Sequence, residues 1–490
     1  MARPTGVRVP GPILWLVGMI GANLFLRLPR LDDPLTQGWQ FRYTQTAFTV
    51  RSFMRDGFNP FTVQLPIFGP PWRVPMEFPL FQMMAAGLGE VFRLDVTVAA
   101  RMAATISFAA GAVVLFWFVG RLFDHLVAQV AVAIYLWSPF GLDWGSQVLI
   151  DFTATALCLA ALALVWLALD RRMLNGRVLT VYVVLAMLGS LTKVTTAVSW
   201  LAVGIPLLMW RYRPMRASGL LMVAMSAAAA VPVAIWTWWS DRVKGESEFT
   251  AFLASREMRD FNFGTLEQRL DMEQWRDPFE RFAQSLVGYS LLGIVLLAAA
   301  ILLSPRRRDV VVLLAIGVSA PLIFFNLYGH DYYPIAIYPA AATALAVGIV
   351  EIIRRVRDVS RRERGLALGA VALVCCVAAI SSNGAERLGG LRATPELWQA
   401  SEIRSVTRDD DLVIVVGDDW SSATLFHADR RGMMYREKGP RLDADELGTT
   451  YRYVYWHNTE PFDNWGNYFP PELRYEWVSG HVLRIFPIGA

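Results

Sequence analysis

Residues 151–172 read DFTATALCLAALALVWLALDRR. No charged side chain falls between Asp151 and Asp170, and the run matches the roughly 20 apolar residues that a helix needs to cross hydrocarbon. Arg171-Arg172 closes it, and the pattern then repeats. An apolar run ends at Thr192-Lys193, and another follows to Trp210 and Arg211. Working outward in both directions gives eleven expected spans: 12–28, 98–120, 126–142, 151–169, 178–192, 194–210, 217–239, 285–303, 310–327, 333–353 and 366–382. Over the 490 residues, 55% are hydrophobic and 18% charged, against about 25% charged in an average soluble domain. The composition excludes a disordered chain and points to an α-helical polytopic membrane protein.

Orientation follows from the arginines. Clusters at Arg171, Arg172 and Arg177, at Arg211, Arg213 and Arg216, at Arg306 to Arg308, and at Arg354 to Arg364 all fall in links that one threading puts on the cytoplasmic side. The N-terminus is then inside and the C-terminus outside, in a cytoplasmic (inner) membrane. The first run follows Arg3 and Arg8, and Arg27-Leu28-Pro29-Arg30 comes after it in place of a small-residue cleavage site, so it reads as an uncleaved span. The net charge of +4 is a topology signal and not a nucleic-acid footprint, and only three of the 46 basic residues are Lys (Lys193, Lys244 and Lys438). The three cysteines, Cys158, Cys375 and Cys376, lie inside apolar runs and imply no disulfide framework.

This threading leaves only short basic links inside. None reaches the about 50 residues of a small domain, and no Gly-Lys pair exists for a phosphate loop. ATP-driven transport and a cytoplasmic nucleotide-sugar site are excluded. The expected organisation is a membrane module over 1–382, with a first outer loop at about 29–97, and an outer α/β domain over 383–490. In that tail, 395–407 has helical spacing, Leu412 to Gly417 reads as a buried strand, and Tyr451 to Trp456 and Tyr475 to Phe486 alternate like further strands. Asp409-Asp410-Asp411 reads as a solvated turn, and Asp443-Ala444-Asp445 as a helix start.

The first loop exceeds the about 12–15 residues beyond which loops usually carry a function. Trp39 to Asp56 has aromatic and apolar residues at helical spacing, interleaved with Arg42, Arg51 and Arg55. This suits a helix lying in the membrane interface, with Trp39 and Trp72 at headgroup level. Glu77 precedes a second apolar helix, where it either complements a helix N-terminus or serves as a desolvated base or metal ligand. Asp151 heads the fourth span at its outer end. Arg101 lies just inside the outer end of the second span, and Lys193 sits in a very short outer hairpin. His330-Asp331-Tyr332-Tyr333 opens the tenth span at the same level. Acids, Arg, Lys, His and Tyr from five regions thus meet one membrane face. That layer suits a lipid-tailed phosphate, with Lys and Arg on the phosphate and a carboxylate to deprotonate an incoming hydroxyl.

These residues resemble a family, the multispanning glycosyltransferases of GT-C type that use polyprenyl-phosphate sugars. It includes protein O-mannosyltransferases, the lipid A aminoarabinose transferase and the bacterial core galacturonosyltransferase-like group. The resemblance rests on Phe41-Arg42-Tyr43-Thr44-Gln45-Thr46-Ala47 with Arg51 and Gly57, on Glu77-Phe78-Pro79-Leu80, and on Arg101 and Leu191-Thr192-Lys193. His330-Asp331-Tyr332-Tyr333 and Ala428-Asp429-Arg430-Arg431-Gly432 complete it. It implies transfer of a sugar to a glycan, lipid or protein hydroxyl in envelope polysaccharide or glycolipid synthesis. It also implies Arg42, Gln45, Arg101, Lys193, His330, Tyr332 and Tyr333 as donor and phosphate ligands. The family's Asp-Glu pair before Arg-Tyr is missing, because Trp39-Gln40-Phe41 stands there. The base is therefore sought at Glu77 and Asp151, with Asp33 third. Some relatives use a divalent cation, which Glu77 and Asp151 could hold; no other cofactor is implied. A secondary transporter or lipid flippase would place ionisable residues near the midplane and repeat one half of the chain. An assembly scaffold would leave the first-loop acids and Lys193 without a role.

Overall fold

The computed structural model describes residues 11–36, 38–214, 216–276, 280, 291–356, 395–457 and 460–488. The expected span at 366–382, the start of that at 285–303, and Cys375 and Cys376 lie outside these residues. The chain divides into two compact units, the first formed by 1–30, 103–236 and 259–389, the second by 31–102, 237–258 and 390–490.

The protein is predominantly helical and has a multipass membrane fold. Among the described residues, Gly11–Arg30, Val96–Leu122, Asp151–Asp170, Val194–Tyr212 and Arg216–Lys244 are long and apolar enough to cross a bilayer. His125–Trp137, Gly176–Thr192 and Leu291–Leu303 are apolar but shorter. Arg307–Ile323 and Tyr338–Val356 are further helices of the first unit. The expected span at 126–142 is in fact two helices, His125–Trp137 and Pro139–Trp144. Pro139 has no amide hydrogen and pushes Ser138 into an extended conformation (φ −67°, ψ 157°), whose Oγ then caps the second helix at Gly141.

Apolar surface does not drive helices together inside lipid, so close approach at small residues has to. A Cβ on Gly189 would stand 2.7 Å from the Cys158 sulfur, and one on Gly348 would stand 2.0 Å from the Leu296 carbonyl oxygen. The pairs 151–170 with 176–192, and 291–303 with 338–356, thus pack backbone to backbone. Arg27 is buried in the first unit. Its guanidinium donates to Asn23 Oδ1 at 2.9 Å, to the Gly141 carbonyl at 2.9 Å and to Ser146 Oγ at 2.9 Å. At other helix ends, the buried carboxylate of Asp309 accepts from Arg211 at 3.1 Å and from the Tyr212 hydroxyl at 3.1 Å, and Arg306 holds Asp170 at 2.9 Å. Two of the arginine clusters are therefore partly neutralised within the bundle.

In the second unit, five strands are ordered β2-β1-β3-β5-β4, with β1 Leu412–Val416, β2 Arg431–Tyr435, β3 Tyr451–Trp456, β4 Tyr475–Trp477 and β5 Val482–Ile485. β2, β1 and β3 are parallel, and β5 pairs antiparallel with both β3 and β4. One face buries Ile414, Val416, Met433, Val454, Trp456 and Leu483 against Tyr468 and Phe469. The first loop extends the sheet. Gly432 N donates to the Pro66 carbonyl at 3.1 Å, Met434 N to that of Ile67 at 2.9 Å, and Gly69 N to that of Gly432 at 3.2 Å.

Gln40–Asp56 is a helix, as expected. Ten residues from Tyr43 to Phe53 are buried in protein. Arg51 and Arg55 converge on the Asp429 carboxylate at 2.9 Å each, and Arg51 lies 4.0 Å from the Phe426 ring centroid. Burial draws the Arg51 pKa down to about 10, against the opposing pull of Asp429, so it stays charged at neutral pH.

Replacing Gly348 with Val should lower the melting temperature of the detergent-solubilised protein sharply, because Leu296 backbone cannot yield. Gly317→Ala, where a Cβ meets nothing within 4 Å, should be neutral or stabilising by up to about 1 kcal/mol. Equal melting temperatures for the two variants would contradict this packing.

Candidate functional site

In the first unit, Gly176–Thr192 ends at Lys193, whose extended backbone (φ −159°, ψ 106°) turns the chain into the next helix. Lys193 donates through Nζ to Asp151 Oδ1 at 2.6 Å, and the two side chains are only 4% and 2% exposed. Asp151 is the first residue of its helix and not the cap, which is Ile150. Its carboxylate therefore engages the ammonium across the helix pair. Lys193 Nζ also stands 4.3 Å from the ring centroid of Tyr333 and 5.1 Å from that of Tyr332, both buried. Such faces attract a desolvated cation.

Hydroxyl groups line the helix headed by Asp151 and the helical segment that follows Lys193. Thr155 lies one turn after Asp151, and Thr196 and Ser199 lie one and two turns after Lys193. All three are buried and their oxygens have no hydrogen-bond partner among the described residues. Val198–Val203 is π-helical, a form that concentrates at functional sites, and Trp200 anchors it by donating to the Ala336 carbonyl at 2.5 Å. Tyr328 is fully buried; burial first, and then the Asp151 carboxylate, hold its phenol protonated far above the ordinary range. The His330 ring sits against the Leu327 carbonyl at 3.2 Å and edge-on to Phe261, Tyr332 and Tyr333.

In the second unit, Arg42 stands in the first turn of Gln40–Asp56. It donates to Gln45 Oε1 at 2.7 Å and reaches Glu77 at 3.8 Å. Glu77 is 29% exposed and lies in the loop three residues before Leu80–Phe92, too early to complement that helix's dipole within its first turn. Arg101 is buried and donates to the backbone carbonyls of Asp33 at 3.1 Å and Pro34 at 3.3 Å. Asp33 thus meets Arg101 through its main chain.

The sequence-derived residues therefore fall into two groups. Asp151, Lys193, His330, Tyr332 and Tyr333 belong to the first unit, and Asp33, Arg42, Gln45, Glu77 and Arg101 to the second. No group of three or more metal-ligating side chains occurs among the described residues, and an ammonium already occupies the Asp151 carboxylate. These donors do not make a fitting metal site. Sequence reasoning passed over Tyr328 and the hydroxyls of Thr155, Thr196 and Ser199, because such residues are unremarkable in apolar helices. The spacing of the three hydroxyls from Asp151 and Lys193 was the available signal; Tyr328, in the turn Asn326–Gly329, carried none.

No protein-family profile and no curated protein matches the sequence. Solved structures do. ArnT from Cupriavidus metallidurans is 14% identical, with 97% of this chain and 98% of that chain covered at a TM-score of 0.67. The archaeal oligosaccharyltransferase AglB from Archaeoglobus fulgidus is 12% identical over 91% of this chain and 69% of that one, at 0.54. The mycobacterial arabinofuranosyltransferase AftD is 16% identical over 97% of this chain and 40% of that one, at 0.55. The chain has the fold of the GT-C glycosyltransferases, over nearly its whole length.

Removing one partner of a buried ion pair costs about 3–5 kcal/mol, because the other charge is stranded. Lys193→Met and Asp151→Asn should each destabilise the protein by that order, and the double variant should recover much of the loss. Strict additivity in thermal unfolding would contradict the pairing.

Proposed function

We propose that this protein transfers a sugar from a polyprenyl-phosphate carrier to a hydroxyl acceptor, without a nucleotide. The observation that carries the reading is the buried Lys193–Asp151 pair beneath Tyr332 and Tyr333, in a chain with the GT-C fold. Two structures with that fold were solved with such carriers, ArnT bound to undecaprenyl phosphate and AglB in complex with an inhibitory peptide and a dolichol-phosphate. They support a lipid-linked donor for this chain.

The acceptor oxygen bonds to the anomeric carbon as the bond from that carbon to the phosphate oxygen breaks. The leaving polyprenyl phosphate keeps the electron pair, and a carboxylate takes the acceptor's proton. Lys193 and Arg42 carry the positive charge that a phosphate recognises, and the Tyr332 and Tyr333 rings keep the Lys193 ammonium out of water. Glu77 is the leading base, since its carboxylate is reachable from solvent and Arg42 stands beside it. Asp151 is the second, held by Lys193 until a phosphate competes for the ammonium, and Asp33 the third. The same reading takes eleven spans over 1–382, a cytoplasmic N-terminus, and an extracytoplasmic domain over 383–490 in the inner membrane.

Thermal unfolding with and without undecaprenyl phosphate tests the lipid site. At a hundred times the dissociation constant the carrier should stabilise the wild type by about 2.7 kcal/mol, and the Asp151→Asn/Lys193→Met variant should lose that shift. Once a donor and acceptor are in hand, Glu77→Gln should cut transfer by about a hundredfold or more while leaving expression intact. No carrier-dependent shift in the wild type, or full turnover by Glu77→Gln and Asp151→Asn alike, would contradict the assignment.

A further inference from the structure

In the tail, the parallel strands β1, β2 and β3 end at Val416, Tyr435 and Trp456, and α/β folds bind ligands outside such carboxyl ends. After β1 the chain runs Gly417-Asp418-Asp419-Trp420. Asp419 holds a left-handed conformation (φ +44°), one that costs a non-glycine residue energy and tends to persist where function requires it. Its carboxylate, 67% exposed, meets Arg436 Nε at 3.2 Å, and Arg436 stacks 3.7 Å from the Phe252 ring centroid. Trp420 is half-buried at the centre of an aromatic cluster, 5.6 Å from Phe41, 6.1 Å from Phe252 and 6.5 Å from Phe68 between ring centroids. Beside it, the Ser422 hydroxyl bonds that of Thr44 at 2.7 Å and donates to the Phe41 carbonyl at 3.0 Å. This edge is thereby fixed to the start of the helix that carries Arg42 and Gln45.

We infer that this edge of the second unit is the acceptor subsite, and that the acceptor is a carbohydrate; the inference rests on the proposed transferase reading. The half-buried Trp420 indole, flanked by the Asp419 carboxylate and the Arg436 guanidinium, suits a sugar ring, which offers C–H edges to the indole and hydroxyls to the charges. Asp419 accepts from such hydroxyls and Arg436 donates to them. A lipid acyl chain does not fit an edge carrying Asp418, Asp419, Arg436, Glu437 and Lys438. A peptide adding as a strand beside Trp420 would need the outer edge of β2, which residues 66–69 already occupy.

The test uses the full chain in a detergent without a sugar headgroup, probed with maltotriose, cellotriose, mannotriose and trigalacturonic acid by saturation-transfer NMR. At least one trisaccharide should receive saturation on its ring protons from the wild type. Trp420→Ala should abolish the signal, Trp420→Phe should keep part of it, and Asp419→Asn should weaken it severalfold. Undecaprenyl phosphate should stabilise all these variants as it does the wild type, which shows that they are folded. No transfer to any trisaccharide from a wild type that the carrier still stabilises would overturn the subsite and leave the transferase reading in place. An equal loss in Trp477→Ala, on the far edge strand, would overturn it also. Saccharide binding that depends on Trp420 in a protein the carrier never stabilises would keep the carbohydrate site and remove the transferase reading.

Discussion

An ammonium and a carboxylate 2.6 Å apart, both out of water, constrain much of the first unit. Taking each charge from water costs several kcal/mol, and the pair recovers that only with close geometry and well-placed neighbours. The geometry depends on the close approach at Gly189, four residues before Lys193, which brings the helix carrying Lys193 against the one headed by Asp151. Tyr332 and Tyr333 complete the enclosure from the turn before Tyr338–Val356. Replacing both charges with apolar side chains would be the simpler way to fill such a space. The pair is kept at a helix end, and the hydroxyls of Thr155, Thr196 and Ser199 nearby in the chain have no hydrogen-bond partner among the described residues.

The apolar runs were legible because a helix that meets lipid has to satisfy its backbone within itself and stay uncharged for its whole length. Helices therefore stand where runs such as 151–169 and 217–239 were read. The break at Ser138-Pro139 was equally present in the sequence, and a count of apolar residues passes over it. Strands β1, β3, β4 and β5 were legible by alternation and by the Val-Ile-Val run of β1; β2 at Arg431–Tyr435 was not, and neither was the order of pairing, which is fixed by packing between distant segments.

The helix at 40–56 shows where local periodicity stops being informative. Arginines at one helical spacing and aromatics at another describe a membrane-surface helix and a buried helix with ion-paired arginines equally well. What the pattern cannot supply is Asp429, more than 370 residues away in the chain, which takes Arg51 and Arg55. The same long-range closure explains the candidate site. Lys193 and Asp151 were each singled out as a charge in an unexpected place, yet their pairing was not readable. Glu77 and Arg42 were singled out separately and stand 3.8 Å apart. Trp420, Asp419 and Arg436 carried no signal at all, because an aromatic cluster built from four distant segments exists only once the first loop and the tail have folded as one body.

The central claim is that sugar leaves a polyprenyl phosphate without any nucleotide. The most direct measurement reconstitutes the protein in proteoliposomes with a panel of undecaprenyl-phosphate sugars and an envelope glycan extract, and follows the lipids by mass spectrometry. The account predicts that one carrier-linked sugar is consumed, that undecaprenyl phosphate appears in equal amount, and that both depend on the glycan and not on added nucleotide. Every carrier-linked sugar surviving intact, while the same vesicles move a lipid or solute across the bilayer, would contradict it.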